Sequence, residues 1–160
     1  MRILVTADTH GPRHRLPPWL LDAASAADLV LHAGDVCDLA TLETLAVRAP
    51  VYAVRGNRDL DLPLAESIVL WVEGVSVGIV HGHLGPGADT PERAWRSFQP
   101  QPDVVAFGHS HRRLLERRGA GWLVNPGSAT RPKDGMAAAL VLTVHDGRIA
   151  WQPIGAGGFL

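Results

Sequence analysis

The fold is decided by the stretch ILVTADTHG, residues 3–11, in which an apolar run ends in polar side chains. The first five of these residues are apolar or β-branched, which predicts a buried strand over residues 3–7. Asp8 and His10 follow at once, where that strand ends. Two more apolar runs lead to polar residues in the same way: residues 29–33 before Asp35 and residues 51–54 before Asn57. Three successive strands are therefore predicted to deliver polar groups at their carboxyl ends.

Helix-like segments separate these strands. Residues 18–27 begin with prolines, and residues 38–48 have Asp38 as an N-cap, so the order β-α-β-α-β predicts a parallel sheet. Further strands are predicted over residues 68–72, 75–80 and 104–107, and a further helix over residues 90–98. Hairpin turns at Glu73-Gly74, residues 119–121 and Asp146-Gly147 indicate antiparallel strands in the second half. We expect an α/β sandwich with two sheets inside and helices outside.

Composition sets limits on the class of protein. A length of 160 residues suits one domain, which we predict over 1–160, with the glycine-rich residues 155–160 as a mobile tail. The formal net charge of −1 argues against general nucleic-acid binding and against attraction to anionic membranes. The single cysteine, the short apolar start and the lack of a run of about 20 apolar residues favour a cytoplasmic protein with no membrane partner.

Two more predicted strands end in histidines. His81 and His83 follow residues 75–80, and His109 and His111 follow residues 104–107. Ligands bind in the crevice at the carboxyl ends of the strands in open α/β sheets, so the polar groups of all five strands should meet there. The predicted metal ligands are Asp8, His10, Asp35, Asn57, His81, His109 and His111.

The chemistry of this set indicates the metal. Four imidazoles, two carboxylates and an amide oxygen suit Mn, Fe, Co, Ni or Zn better than Ca or Mg, which prefer oxygen ligands. Seven ligands exceed the needs of one tetrahedral site, but they suit two ions about 3.5–4 Å apart that share a carboxylate. Such a pair lowers the pKa of a bridging water and neutralises phosphoryl oxygens during in-line attack.

The order of these motifs resembles the calcineurin-like metallophosphoesterase superfamily. The motifs are DTHG at 8–11, GD at 34–35, GNRD at 56–59, HGH at 81–83 and GHSH at 108–111. NPGS at 125–128 resembles in particular the small YfcE-like phosphodiesterases. The resemblance implies a four-layer α/β/β/α sandwich with mixed sheets. It also implies hydrolysis of a small phosphate ester, most simply a phosphodiester, by a hydroxide that bridges two metals.

The resemblance further implies how the ligands are divided. Asp8, His10 and His111 would hold one ion, Asn57, His81 and His109 would hold the other, and Asp35 would bridge them. Family members commonly use manganese and often form homodimers or homotetramers, which we expect here.

Four residues are candidates for a catalytic role: Asn57, Arg58, Asp59 and His83. Arg58 stands where many superfamily members carry a histidine. Arginine is no general acid, because its pKa exceeds about 12, but its fork binds phosphate. Asp59 either orients a ligand or the substrate, or caps the turn after Asn57. His83 either faces the leaving group or is a hydrogen-bonded loop histidine.

Other residues near the motifs have two interpretations each. Cys37 is expected to be a small buried residue rather than a ligand. Arg112 and Arg113 either meet a substrate phosphate or are solvated, and Asn125 and Ser128 are expected to shape a turn near the site.

Two alternatives remain for the function. The first is a non-catalytic scaffold on the same fold, like the retromer subunit that resembles these enzymes, since fold does not imply function. The complete set of ligand positions argues against it. The second is a phosphomonoesterase or pyrophosphatase, which the sequence does not separate from a diesterase.

Overall fold

The computed structural model describes residues 1–11 and 16–155, and over these the chain forms ten strands and three helices. Their bounds are β1 Arg2–Thr6, α1 Pro18–Ser25, β2 Leu29–His32, α2 Leu39–Ala46, β3 Val51–Ala53, β4 Ser67–Val72, β5 Val75–Val80, α3 Thr90–Trp95, β6 Val104–Ala106, β7 Arg113–Arg118, β8 Gly121–Pro126, β9 Ala138–His145 and β10 Arg148–Gly155.

The strands form two mixed sheets. The first has the order β10-β9-β1-β2-β3, in which β1, β2 and β3 run parallel, as predicted. The second has the order β4-β5-β6-β8-β7, in which β5, β6 and β8 run parallel. The edge strands β10, β4 and β7 pair antiparallel with their neighbours through hairpins, whereas the edge strand β3 runs parallel to β2. Each sheet therefore brings the carboxyl ends of three strands to one edge.

Apolar side chains hold the two sheets face to face. In β1, Ile3 and Val5 enter the cluster between the sheets, together with Ile79, Val104 and others from the second sheet. Leu4 points the opposite way, into a cluster with Leu20 and Leu45 of helices α1 and α2. Helix α3 covers the outer face of the second sheet through a third cluster. The predicted four-layer α/β/β/α sandwich is confirmed.

Caps and turns follow the predicted chemistry. The carboxylate of Asp38 accepts a hydrogen bond from the backbone N–H of Thr41 at 2.7 Å, which begins α2. The turn Glu73-Gly74 has φ values of 45° and 84°, and the turn Asp146-Gly147 has 48° and 72°. Positive φ at both central residues is typical of the tight turns that join hairpin strands.

Some predicted bounds were wrong. Helix α1 ends at Ser25, not at residue 27, because Asp28 is held to Arg2 by two hydrogen bonds of 2.7 and 2.8 Å that direct the chain into β2. Helix α3 ends at Trp95, and Phe98 packs into the third cluster instead of continuing the helix. Gly155, predicted to begin a mobile tail, ends β10 opposite Ala138. Residues 156–160 lie outside the described part of the chain.

None of the helices described is both long and apolar enough to cross a membrane.

We expect Leu142→Ala to lower the free energy of unfolding by about 2–5 kcal/mol, because it leaves a cavity in the cluster between the sheets. Chemical denaturation measures the loss. Leu60→Ala removes the same atoms from a side chain that is 76% exposed, and should change stability by about 0.5 kcal/mol or less. Equal losses in the two variants would contradict the assignment of the core.

Candidate metal centre

Loops from both sheets meet at the carboxyl ends of their parallel strands. The loop after β1 is held to the loop after β2 by backbone hydrogen bonds from Asp8 to Gly34 at 2.9 Å and from His10 to Asp35 at 3.0 Å. Across the two sheets, the backbone N–H of His109 donates to the carboxylate of Asp8 at 3.2 Å. The structure thus brings together loops that are far apart in sequence.

Four predicted ligands form a first cluster: Asp8, His10, Asp35 and His111 each offer one donor atom, and these atoms lie within 4.8 Å of one another. Nε2 of His111 is 3.1 Å from Nε2 of His10 and 3.5 Å from Oδ1 of Asp8. Nε2 of His10 is 3.7 Å from Oδ2 of Asp35. These separations allow one ion to contact all four residues.

The other three predicted ligands form a second cluster of Asn57, His81 and His109. Oδ1 of Asn57 lies 3.2 Å from Nε2 of His81 and 3.0 Å from Nδ1 of His109. Asp35 faces both clusters, because its Oδ2 is turned to His10 and its Oδ1 lies 3.4 Å from Nε2 of His81. The carboxylate predicted to bridge two ions therefore lies between two sets of donors.

The two carboxylates differ in their electrostatics. Burial raises the pKa of Asp8 to about 7, since the ionised form is deprived of water. Over residues 1–11 and 16–155, its buried Oδ2 has no hydrogen-bond partner. Burial also acts to raise the pKa of Asp35, but the hydrogen bond and charge of His81 and the backbone N–H of Arg58 outweigh it and lower that pKa to about 2. A cation beside Asp8 would stabilise its charged form.

The histidines present lone pairs to the centre. Nδ1 of His81 donates to the carbonyl of Ala33, and Nδ1 of His111 donates to the carbonyl of Arg131, both at 2.7 Å. Each ring therefore turns Nε2 inward, and the carbonyl fixes its orientation, as is usual for histidines that bind metals. This set of acceptors fits a divalent cation.

Protonation differs among the rings. Burial lowers the pKa of His10 and of His109 to about 4 and lowers that of His111 as well, so these imidazoles are neutral near pH 7. Burial also acts to lower the pKa of His81, but its hydrogen bond with Asp35 and the charges of Asp8 and Asp35 outweigh this and raise it. A metal ion in the second cluster would bind Nε2 of His81 in place of a proton.

Unusual backbone conformations aim the donor groups. Five of the seven predicted ligands have φ between 46° and 65°, the left-handed region: Asp8, His10, Asp35, His109 and His111. Each such residue costs about 1–3 kcal/mol, a strain that is typical of functional sites. Glycines allow the close packing around them, since a Cβ at Gly34 would lie 2.7 Å from Nδ1 of His81 and a Cβ at Gly108 2.8 Å from the carbonyl of Ala33.

Asp59 lies behind the centre and is almost fully buried. Its carboxylate accepts from the backbone N–H of Gly56 at 2.8 Å and from that of Cys37 at 2.7 Å. It therefore caps the turn after β3 and ties that turn to the loop that carries Asp35. Both roles considered for Asp59, turn capping and ligand orientation, are compatible with these contacts, whereas direct contact with substrate is not supported by its burial.

Residues 128–133 form a loop that contacts the first cluster, and we call this loop the strap. The sequence indicated only part of it. The hydroxyl of Ser128 donates to the carbonyl of Asp8 at 2.7 Å, and that of Thr130 donates to the carbonyl of Thr9 at 2.9 Å. The carbonyl of Arg131 orients His111, and the backbone N–H of Lys133 donates to the carbonyl of His111 at 3.0 Å. The NPGS motif indicated Ser128, but nothing in the sequence indicated Arg131.

Asn125 braces the loop that carries His109 and His111. Its amide donates to the carbonyl of Gly108 at 2.8 Å, and its Oδ1 accepts from the N–H of Gly127 at the same distance. The predicted turn near the site is therefore present.

Cys37 is half-buried, and its sulfur lies 3.4 Å from Nδ1 of His10. The sequence led us to expect a small buried residue, so this contact with a candidate ligand was missed.

A cavity of about 300 Å³ opens over the two clusters. Its lining includes His10, Asp35, Asn57, His109 and His111, together with three cationic side chains, Arg58, Arg131 and Lys133. Arg113 instead pairs with Asp134 at 2.7 Å, so its role is structural.

His83 lines a neighbouring cavity of about 320 Å³, and its ring centre is 5.2 Å from that of His81. Nδ1 of His83 is buried without a hydrogen-bond partner among the described residues.

Comparison with known proteins identifies the family. A family model described as the calcineurin-like phosphoesterase superfamily domain matches residues 1–147. The chain belongs to the calcineurin-like phosphoesterase superfamily. A protein of Methanothermobacter thermautotrophicus named a probable metallophosphoesterase is 31% identical to it, over 98% of this chain and 94% of that protein.

Solved structures similar to this chain have the same fold. YfcE, described as a phosphoesterase from E. coli, is 25% identical, with a TM-score of 0.69 over 97% of this chain and 99% of that one. Vps29 of Entamoeba histolytica in complex with Zn²⁺ is also 25% identical, with a TM-score of 0.79 over 97% of this chain and 99% of that one. The resemblance to the YfcE-like proteins is confirmed, and the chain is a metallophosphoesterase with a candidate divalent-metal site.

We expect Asp59→Asn to weaken Mn²⁺ binding roughly 10–100-fold, because the amide cannot accept from both backbone N–H groups and the two loops move apart. The free energy of unfolding of the metal-free protein should fall by about 1–3 kcal/mol. Titration calorimetry and chemical denaturation measure the two effects. The exposed carboxylate of Asp61 provides the control Asp61→Asn, which should change neither. Lost stability with unchanged Mn²⁺ affinity would mean that Asp59 only caps the turn.

Proposed function

We propose that this metallophosphoesterase hydrolyses a phosphodiester with two divalent ions. The observation that carries the proposal is the position of Asp35, whose two oxygens face two different sets of donors. The first ion would be held by Asp8, His10 and His111, the second by Asn57, His81 and His109, and both by Asp35. When bound, such ions activate a water as nucleophile and neutralise charge on the phosphoryl group.

Manganese is the ion we propose, with iron, nickel, cobalt and zinc as alternatives. The mixture of imidazole, carboxylate and amide donors, without a thiolate, supports borderline transition metals over calcium or magnesium. We further propose that the enzyme is cytoplasmic and acts on a small phosphate ester, which the modest cavity over the two clusters supports.

The chain's own residues have distinct tasks in this proposal. The backbone N–H of Arg58 donates to Oδ1 of Asp35 at 2.8 Å, which fixes the position of Arg58 beside the ligands. Its side chain lines the cavity, where its fork can bind the non-bridging oxygens of a phosphate. Asp59 keeps the loops of Asp35 and Asn57 in register.

The side chains near the cavity are poor proton donors to the leaving group. Arg58 does not give up its proton near neutral pH. Burial, followed by the charge of His81, lowers the pKa of His83, so its imidazole is mostly neutral near pH 7 and is a poor proton donor. Good leaving groups should therefore react much faster than poor ones.

The scaffold alternative is weakened by the site itself. Four of the predicted ligands lie together in the first cluster, and the other three lie together in the second. Backbone carbonyls orient the rings of His81 and His111. The similarity to Vps29 nevertheless makes an activity assay decisive. A phosphomonoesterase or pyrophosphatase would use the same centre, so the assay must compare substrates.

Wild-type protein stripped with chelator and reloaded with Mn²⁺ should hydrolyse bis(p-nitrophenyl) phosphate faster than p-nitrophenyl phosphate. Asp35→Asn should abolish turnover and reduce bound metal from two ions toward one or none, because a neutral amide lacks the charge that both ions share. Elemental analysis and absorbance at the nitrophenolate band measure these outcomes.

Asp61→Asn is again the matched control and should retain both metals and turnover. The proposal fails if Asp35→Asn keeps two ions and near-wild-type rates. A faster rate with the monoester would favour the phosphomonoesterase alternative.

A second prediction concerns Arg58 and the leaving group. Wild-type rates for a series of aryl and alkyl phosphodiesters should fall steeply as the pKa of the leaving alcohol rises. Proton donation by a placed side chain is worth typically 10²–10⁴-fold, so Arg58→His should accelerate alkyl esters and change aryl esters little if its ring reaches the leaving oxygen. Arg58→Ala should raise KM without loss of metal.

The series also tests the assignment of His83. A flat dependence on leaving-group pKa in the wild type would show that another residue already supplies the proton, with His83 the first to examine. An unchanged KM in Arg58→Ala would remove Arg58 from the substrate site.

A further inference from the structure

Positive charge is concentrated on one part of the cavity over the metal centre. Arg58, Arg131 and Lys133 line it, and among the described residues Asp35 is the one carboxylate that does so.

Two of the three cations come from the strap, and the strap is rigidly attached to the centre. The hydroxyl of Ser128 both donates to the carbonyl of Asp8 at 2.7 Å and accepts from the N–H of Arg131 at 2.8 Å. The backbone of Lys133 is tied to His111. Arg131 and Lys133 are therefore presented at a fixed place relative to the ligands, although their side chains are exposed.

The three cations share one cavity with the donor groups. Its lining holds Arg58, Arg131 and Lys133 together with donors such as Asp35 and His111. An anion bound over the centre therefore lies in the same cavity as all three cations.

A phosphodiester carries a single negative charge, and two divalent ions with the guanidinium of Arg58 are enough to neutralise it. Arg131 and Lys133 add two more positive charges to the same cavity. Arginine and lysine are the usual binders of phosphate, through bidentate and point-charge contacts respectively.

We propose that Arg131 and Lys133 recognise a second phosphate on the substrate, next to the scissile diester. This inference rests on the proposed function, since it assumes that the scissile group lies over the two clusters. The substrate class is then a phosphodiester with a neighbouring phosphate, such as a nucleotide ester that carries a further terminal phosphate.

A matched pair of substrates tests the inference. The p-nitrophenyl ester of thymidine 5′-phosphate is a plain diester, and the same ester with a 3′-phosphate adds only the second anionic group. We expect Mn²⁺-loaded wild type to prefer the 3′-phosphorylated ester by about ten-fold or more in kcat/KM. Arg131→Gln and Lys133→Gln should each reduce this preference several-fold, mainly through KM.

Binding provides a readout that does not need turnover. Titration calorimetry should show that thymidine 3′,5′-bisphosphate binds the wild type about ten-fold more tightly than thymidine 5′-monophosphate, with the difference reduced in both variants. Arg148→Gln removes the same charge from an exposed residue of β10 and should leave the difference unchanged. Circular dichroism and metal content check that each variant is folded and loaded.

The outcomes separate the two proposals. Hydrolysis of the plain diester without preference for the second phosphate, or a preference that both variants retain, would overturn the inference and leave the proposed function standing. Equal binding of the two nucleotides would also overturn it. Tighter bisphosphate binding that depends on Arg131 and Lys133, without turnover of either ester, would uphold the phosphate subsite and refute the diesterase activity.

Discussion

Asp8 and Asp35 hold carboxylates in a region nearly closed to water, and the surrounding structure depends on how these charges are stabilised. Burying an ionised group without partners is so costly that such groups usually become neutral. Asp35 is kept ionised by His81 and by the N–H of Arg58, whereas one oxygen of Asp8 has no hydrogen-bond partner in the described part of the chain. Imidazole lone pairs surround both residues. A divalent cation bound among these donors would stabilise both carboxylates in their ionised forms, so the fold prepares a place for a charge that the chain does not itself supply.

The two-sheet sandwich brings the donor groups together. Parallel strands β1, β2 and β3 end on the same side as β5 and β6 of the facing sheet, and each end delivers one or two polar groups. A donor that leaves a strand must turn sharply to face its neighbours, which explains the left-handed backbone at five of them. The rigid core between the sheets supplies the stability against which this strain is held.

Much of this arrangement could be predicted because its signals are local. Each candidate ligand lies in the short loop that follows an apolar run, so strand and ligand could be predicted together. The hairpin turns have residues that tolerate positive φ. The strand order within each sheet, the contact of Cys37 with His10 and the hydrogen bonds of the strap were not predicted, since they join residues far apart in sequence. Helix ends were predicted too late where tertiary contacts, such as that of Asp28 with Arg2, end the helix early.

The contacts of the strap affect when the candidate centre can form during synthesis. Ser128 contacts Asp8 across 120 residues of sequence, and β1 in the middle of its sheet pairs with the distant strand β9. Contacts of such long separation form slowly and late. A ribosome that has made the first hundred residues has produced five of the seven donors but neither His109 nor His111. The complete candidate centre therefore assembles only after His109, His111 and the strap have been made, and a translation product interrupted before them lacks it.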